Sequence, residues 1–270
     1  MAEQDKKWSS TADSYVRYFQ PSSLLCGRLV ANGLQLNHVG PLKIIETGAG
    51  TGALAKELLG LDGVEVLEYC CSDIAEGMVE KAKATLAGMV ARVEKLDCAA
   101  LPYADASFDR YISNCTLHYL PDPAPAIMEA GRVLKPGGLA GYSVWGHAEQ
   151  SPLMTIVPDV LDSLGLERKD PAKRSSFHLG DDDEATRQLF LANGFSKCAI
   201  VHCPLVMSYF DPDHYAEVII DGANSTRTKI QSFSPEDQAA VREEVKRRAK
   251  LVMDQGRGIA LDVAVIVAQR

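Results

Sequence analysis

The sequence predicts an α/β fold, a seven-stranded and mostly parallel sheet with helices on both faces. Three observations carry that expectation. Short apolar runs alternate with segments of helical periodicity through the first half of the chain, at intervals suited to right-handed βαβ units. The first run, Ile44-Ile45-Glu46, enters a turn with glycine at every second position (Gly48, Gly50, Gly52) and then a helical stretch over 53–60. The last run, Ile259 to Ala268, is a long apolar strand that closes a largely helical region.

Composition sets the limits. The chain has 270 residues, 46% of them hydrophobic, which is enough for a full-sized core. The net charge of −8 argues against a broad nucleic-acid surface. One basic cluster, Lys246-Arg247-Arg248 with Lys250, sits beside Glu243 and Glu244 on an expected helix and reads as a solvated face. The seven cysteines are odd in number and show neither C-x-x-C nor Cys/His ligand spacing. Reduced thiols, a cytoplasmic setting and no metal are therefore expected. No apolar leader and no 18-residue apolar run occurs, so neither a signal peptide nor a membrane span is expected. The sequons at Asn114 and Asn224 read as chance matches.

In chain order, 9–19 reads as a short helix with an aromatic face, and 22–36 as a second one bearing Leu24, Leu25, Leu29, Val30 and Leu34. Both precede the first strand, so they pack over the sheet or its ligand edge. Strands follow at 42–46, 64–71, 90–96 and 108–114, with helices at 53–60 and 75–87. A helix over 123–134 is opened by Asp122-Pro123 and stopped by Lys135-Pro136-Gly137-Gly138, ahead of a strand at 139–144. Residues 146–181 hold Pro152, Pro158 and Pro171 and read as irregular. A helix over 181–193 ends at Gly194, 197–207 is strand-like, and 211–256 is largely helical with Ser234-Pro235 as a start signal. No repeat or low-complexity linker divides the chain. One domain over 1–270 is expected, with a helical cap at 1–36, a cofactor-binding core at 42–145, and lid-like helical elaborations at 146–181 and 205–257.

In an open parallel sheet, ligands bind beyond the carboxyl ends of the strands. Four successive strands here end in polar signals: Glu46 with the glycine turn, Asp73, Asp97 and Asn114. The turn by itself also satisfies G-x-G-x-x-[G/A] through Gly48, Gly50 and Ala53, a dinucleotide pattern. A carboxylate after the second strand suits two ribose hydroxyls, and one after the third suits a purine amino group. Glu46 beside the turn would repel a diphosphate but could pair with an ammonium, which favours S-adenosylmethionine over NAD. Singly, Asp73 also suits a helix cap and Asp97 a turn.

Residues 42 to about 145 resemble the class I S-adenosylmethionine-dependent methyltransferases, a Rossmann-like family. They are most similar to the small-molecule branch that includes ubiquinone and menaquinone biosynthesis enzymes. The matching segments are Glu46 to Gly52, Ser72 to Met78, Asp97 to Pro102 with Ser107-Phe108-Asp109, and Arg132 to Gly138. The resemblance implies that Glu46, Gly48, Ala49, Gly50 and Gly52 line the methionine moiety and that Asp73 holds the ribose. It further implies Ile74 and Met78 against adenine, Asp97 and the Cys98 backbone at the ring edge, and Asn114 near the methionine end. Asn114-Cys115-Thr116-Leu117 departs from the N/D-P-P-Y/F tetrapeptide of base and glutamine N-methyltransferases, which argues against those acceptors.

Methyl transfer is an in-line displacement in which the protein supplies alignment, desolvation and, for some acceptors, a base. His118 and His147 are the candidate bases, each with packing as the competing explanation. Tyr15 is placed over the cofactor. Tyr18, His118, Trp145, Phe177 and Tyr209 are the candidate acceptor contacts. The expected function is methyl transfer to O, N, S or C of a small-molecule acceptor, with no nucleic acid and no membrane involved. A protein or peptide methyltransferase, a cofactor-binding regulator without turnover, and a dehydrogenase are the alternatives.

Overall fold

The structure, a computed structural model, describes residues 2–37, 40–167, 175–207, 209, 211–221 and 225–270. Helices α1 (Ala2–Tyr18) and α2 (Gln20–Gly33) precede the sheet. The first half then runs β1 (Leu42–Thr47), α3 (Ala53–Leu59), β2 (Val66–Asp73), α4 (Glu76–Thr85), β3 (Ala91–Lys95), β4 (Phe108–Asn114), α5 (Ala124–Val133) and β5 (Leu134–Trp145). The second half runs α6 (Pro152–Ser163), α7 (Asp183–Ala192), β6 (Lys197–Met207), α8 (Pro212–Ala216), α9 (Ser225–Gln231), α10 (Pro235–Asp254) and β7 (Ile259–Gln269).

The seven strands form one sheet in the order β3-β2-β1-β4-β5-β7-β6. The pairs among β1 to β5 are parallel. β7 inserts antiparallel between β5 and β6. The strand order reverses at β1, which lies between β2 and β4. The crevice beyond the carboxyl ends of β1 and β4 is therefore the ligand position that this topology creates.

Hydrophobic burial on two faces holds the sheet. On one face α5 and α7 cover Ile45, Tyr142 and Ile266 with Ile127 and Phe190. On the other, α2 and α3 cover Ile44, Ile112 and Val265 with Val30, Leu34 and Leu54. α2 approaches β5 closely: a Cβ on Gly141 would lie 2.6 Å from Val30 Cγ1. A third cluster joins α6, α8 and α10 through Val160, Tyr215, Val241 and Val245. Among the described residues no helix is long and apolar enough to cross a membrane.

Local signals explain most element ends. The Ser234 side chain accepts from Asp237 N at the start of α10, and Asp182 accepts from Ala185 N at the start of α7. Lys246, Arg247 and Arg248 lie on α10 in ion pairs with Asp213, Glu243 and Glu244, as a solvated face should. Three expectations differ. α1 begins at Ala2 rather than near residue 9, because Asp5 and Ser9 find partners on α4. Residues 152–163, expected to be irregular, form α6: Pro152 suits the first turn, and Ile156, Val157, Val160 and Leu161 make a buried stripe that outweighs the internal Pro158. β5 begins at Leu134, with Lys135 to Gly138 taken up as an irregularity in its pairing with β4. All seven cysteines are unpaired. Asn224 and Pro171 lie outside the described residues.

The packing gives a paired test. Ile266 on β7 is fully buried, whereas Val201 on the outer strand β6 is 59% exposed. Ile266→Ala should cost about 2–5 kcal/mol in denaturant unfolding. Val201→Ala should stay within roughly 0.5 kcal/mol of wild type. Equal losses would contradict the sheet order.

Candidate cofactor and acceptor site

The turn after β1 depends on its glycines. Gly48, Gly50 and Gly52 have φ of +63°, +58° and +74°, the left-handed region that other residues adopt only with strain. A Cβ on Gly48 would also fall 2.3 Å from Thr116 Oγ1. Asp73, at the end of β2, fastens this turn. Its Oδ2 accepts from Gly50 N at 2.8 Å while Oδ1 accepts from Ala75 N at 2.9 Å. The same carboxylate thus holds the glycine turn and starts the run into α4, with acceptor capacity left on both oxygens. Ala49 N donates to Ser72 O at 2.9 Å, a second tie between the two strand ends.

Glu46 is 1% exposed, and its Oε2 accepts from the Tyr69 hydroxyl at 2.7 Å. Burial pushes its carboxyl up to about 7, against the pull of the Tyr69 hydrogen bond and with added repulsion from Asp73. Burial raises Asp73 as well, although three backbone N–H groups oppose it. Among the described residues no Lys, Arg or His side chain forms an ion pair with either carboxylate. Glu46 thus lines the crevice and Asp73 fastens the turn beside it.

Helix α1 closes the crevice. Asp5 Oδ1 and Ser9 Oγ accept from Glu76 N and Gly77 N, capping the start of α4 from a distance in sequence. Asp5 also pairs with Lys95, and Asp13 with Lys81. Trp8 and Tyr15 cover Met78 and Ala75. The space left among Tyr15, Gln20, Ser23, Glu46, Gly48 and Asn114 is a cavity of about 20 Å³. That is room for roughly one water molecule.

Of the residues expected around a cofactor, Tyr15, Glu46, Gly48, Ala49 and Asn114 line this cavity. Gly50 and Gly52 complete the turn beside it. Met78 lies beneath α1, and Ile74 is half-buried between Asp73 and the start of α4. Asp97 Oδ1 accepts from Ala99 N at 2.9 Å, which turns the chain after β3 and orients the segment that carries Cys98. Asn114 is tied at both ends of its amide. Nδ2 donates to Ser23 O and Oγ at 3.0 Å, and Oδ1 accepts from Ser143 Oγ at 2.6 Å. It braces α2 against β4 and β5.

His118, Trp145 and Phe177 come together in one aromatic cluster. The His118 ring lies 5.1 Å from Trp145, and Trp145 lies 5.2 Å from Phe177. Tyr119, which sequence reasoning missed, joins them at 4.2 Å from His118 and 5.4 Å from Trp8. Its position next to His118 in the same loop was the available signal. His118 is 3% exposed with no partner on either ring nitrogen. Burial, with His178 nearby, lowers its pKa to about 3. Such an imidazole is neutral at physiological pH and a weak proton acceptor. It is the polar member of an aromatic cluster.

The remaining candidates lie elsewhere. Tyr209 packs on His214 and Tyr215 in the α6–α8–α10 cluster. The side chain of Tyr18 lies outside the described residues. His147 turns to Asp262, with Nδ1 3.0 Å from Oδ2.

A family profile described as "Methyltransferase domain" matches residues 45–141. A malonyl-[acyl-carrier protein] O-methyltransferase of Geobacter sulfurreducens is 37% identical over 137 residues, 50% of this chain and 51% of that protein. The 2-methyl-6-phytyl-1,4-hydroquinone methyltransferase 1 of Oryza sativa is 36% identical over 39% of this chain and 31% of its own length. The matches thus span about half, or less, of these curated relatives. Among solved structures, the YcgJ protein of Bacillus subtilis superposes with a TM-score of 0.55 at 19% identity, covering 92% of this chain and 97% of that one. The [4+2]-cyclase SpnF superposes equally well, with a TM-score of 0.55 at 18% identity over 90% of this chain and 81% of its own. The fold alone therefore hosts more than one chemistry.

The buried imidazole gives a pH signature. Unfolding exposes His118 and returns its pKa from about 3 toward 6.5, so the unfolded state binds the extra proton between those values. Its contribution to stability is full above pH 6.5 and falls as pH drops toward 3, by up to about 1.4 kcal/mol per pH unit. Relative to wild type, His118→Phe should gain stability progressively over that window in denaturant titrations. Parallel stability–pH curves would contradict the assignment.

Proposed function

Because this chain belongs to the class I S-adenosylmethionine-dependent methyltransferases, we propose that it transfers a methyl group from that cofactor to a compact small-molecule acceptor. The carrying observation is the pair Glu46 and Asp73, one buried and one half-buried carboxylate at a glycine turn with no protein cation paired to them. S-adenosylmethionine brings a sulfonium and an ammonium to such a crevice, whereas NAD brings a diphosphate. The donor set fits the methyl donor.

When bound, the cofactor supplies an electrophilic methyl group on sulfur. The chain's own residues bind, orient and exclude water. Glu46 holds the ammonium, directly or through water, while Gly48, Ala49, Gly50 and Gly52 let the tail lie close to the backbone. Asp73 takes the ribose hydroxyls on the acceptor positions its backbone bonds leave free. Ile74 and Met78 contact adenine, Asp97 and the Cys98 backbone receive its edge, and Asn114 and Tyr15 close the methionine end. Since α1 occupies the start of α4 and covers Met78, cofactor entry requires α1 to withdraw and then reclose.

The acceptor lies against the wall of His118, Tyr119, Trp145 and Phe177, which favours a flat molecule and excludes water from the displacement. The relatives are named for a malonyl-[acyl-carrier protein] and for a hydroquinone, so acceptor chemistry varies among them. An acceptor whose proton must leave would rely on its own acidity or on water, because His118 is a weak base here. Residues 1–36, 42–145, 146–181 and 205–257 act as cap, cofactor core and two acceptor-side elaborations of one catalytic unit. A protein or peptide acceptor would need an open groove instead of this buried wall. The net charge of −8 speaks against nucleic acid, and seven unpaired cysteines support a cytoplasmic setting.

Calorimetry with S-adenosylhomocysteine should show binding, weakened at least about tenfold by Asp73→Ala, the loss of roughly 1.4 kcal/mol or more. NADH should not bind. Trp145→Ala should leave cofactor affinity unchanged and raise KM for the acceptor. NADH binding without S-adenosylhomocysteine binding would overturn the reading.

A further inference from the structure

A second cluster of polar side chains stands apart from the glycine turn, where β5, β6 and β7 meet the start of α7. We propose that His147, His202 and Asp262 form a binding site for one divalent transition-metal ion of the zinc type, with Asp183 orienting His202 from behind.

Three ligand atoms converge from three elements distant in sequence. Asp262 Oδ2 lies 2.6 Å from His202 Nδ1 and 3.0 Å from His147 Nδ1. All three atoms fall within 4.8 Å of one another, and the imidazole rings face each other at 4.1 Å. Ligands around a tetrahedral zinc, at bonds of about 2.0–2.1 Å, are roughly 3.3 Å apart. Small side-chain shifts therefore convert the cluster into three corners of a tetrahedron. Two imidazoles and one carboxylate suit zinc, cobalt or nickel better than calcium or magnesium.

His202 carries the signature of a metal-binding histidine. Its Nδ1 points into the cluster while Nε2 lies 2.9 Å from Asp183 Oδ1. A carboxylate behind the second ring nitrogen fixes the tautomer that leaves the first free for a metal. Asp262 Oδ2 also accepts from the His147 backbone N at 2.7 Å, so both facing Nδ1 atoms must carry hydrogen to satisfy the same oxygen. An incoming cation takes the Nδ1 lone pair of each ring, the His147 hydrogen moving to its Nε2 and that of His202 leaving to solvent, and takes up the carboxylate's charge.

The frame is rigid and the mouth is open. Asp262 N donates to Ser151 Oγ at 3.0 Å, Asp262 O accepts from Gly146 N at 2.8 Å, and Ser151 Oγ donates to His147 O at 2.7 Å. A Cβ on Gly146 would sit 2.2 Å from Asp262 Oδ2 and 2.9 Å from His202 Nδ1, so glycine preserves the space between the ligands. Asp262 is 3% exposed at its side chain, while His147 and His202 are 31% and 20% exposed. A fourth position is left for water. Asp262 alternates with Val263 and so shares the sheet face of Ala264 and Ile266, whereas Trp145 packs on the other face. The ion would tie β5, β6 and β7 to α7 and take no part in methyl transfer.

The test uses tag-free full-length protein stripped with a chelator and titrated with Zn²⁺ and with Co²⁺. One equivalent should bind, Co²⁺ should develop the visible absorption of a tetrahedral N/O site, and Tm should rise with the first equivalent. His202→Ala and Asp262→Asn should each raise the Zn²⁺ Kd at least tenfold, while His214→Ala should not. If either variant fails to fold by circular dichroism, His147→Gln, on the more exposed ligand, provides the same readout. Absence of stoichiometric uptake by wild type, or uptake unchanged in the folded ligand variants, would overturn the proposal. S-adenosylhomocysteine binding is measured on the same samples, so failure of the metal site is read separately from failure of the cofactor site.

Discussion

The bond from Gly50 N to Asp73 Oδ2 organises the ligand edge of this molecule. It joins the end of β1 to the end of β2 and holds three left-handed glycines in one cradle. Around it, burial raises two carboxylates, Asp73 and Glu46, that have no cationic side chain paired to them among the described residues. Buried charge without a counterion is costly. A protein that retains it at the mouth of a crevice is matched to a ligand that brings the missing charge.

The same constraint gives α1 its place. The start of α4 presents free N–H groups beside Asp73, and α1 meets them with Asp5 and Ser9 while Trp8 and Tyr15 cover Met78. The closed arrangement leaves space for little more than a water molecule. The ion pairs Asp5–Lys95 and Asp13–Lys81 that help hold α1 there are exposed enough to break cheaply. Opening α1 costs the packing of Trp8 and Tyr15 on Ala75 and Met78.

Much of this was legible in the sequence because it is local. The glycine turn, the carboxylates after β2 and β3, and the helix starts at Pro123 and Ser234 each declare themselves within a few residues. Trp145, His118 and Phe177 met at one wall because the first two follow strand ends that the topology brings together. What was not legible depends on contacts distant in sequence. α6 is stabilised by a stripe that packs on α10, which local proline counting hides. The strong pKa depression of His118 comes from burial by partners on β5 and in the segment around Phe177. Tyr209 falls in the α8 cluster because it packs on Tyr215 of α8, which itself packs on α10. The His147–His202–Asp262 cluster has no spacing to read, since β7 inserts antiparallel between β5 and β6 and only then aligns residues 147, 202 and 262.

The central claim, that the crevice is built for a cation, has a direct test in proton linkage. Glu46 is held near a pKa of about 7, so close to neutrality it is partly protonated before binding. A cationic ligand favours the carboxylate and releases that proton. Calorimetry of S-adenosylmethionine at pH 7 in buffers of different ionisation enthalpy should show net proton release from wild type, and this excess should vanish in Glu46→Gln. Binding with the same proton balance in both proteins would contradict the account.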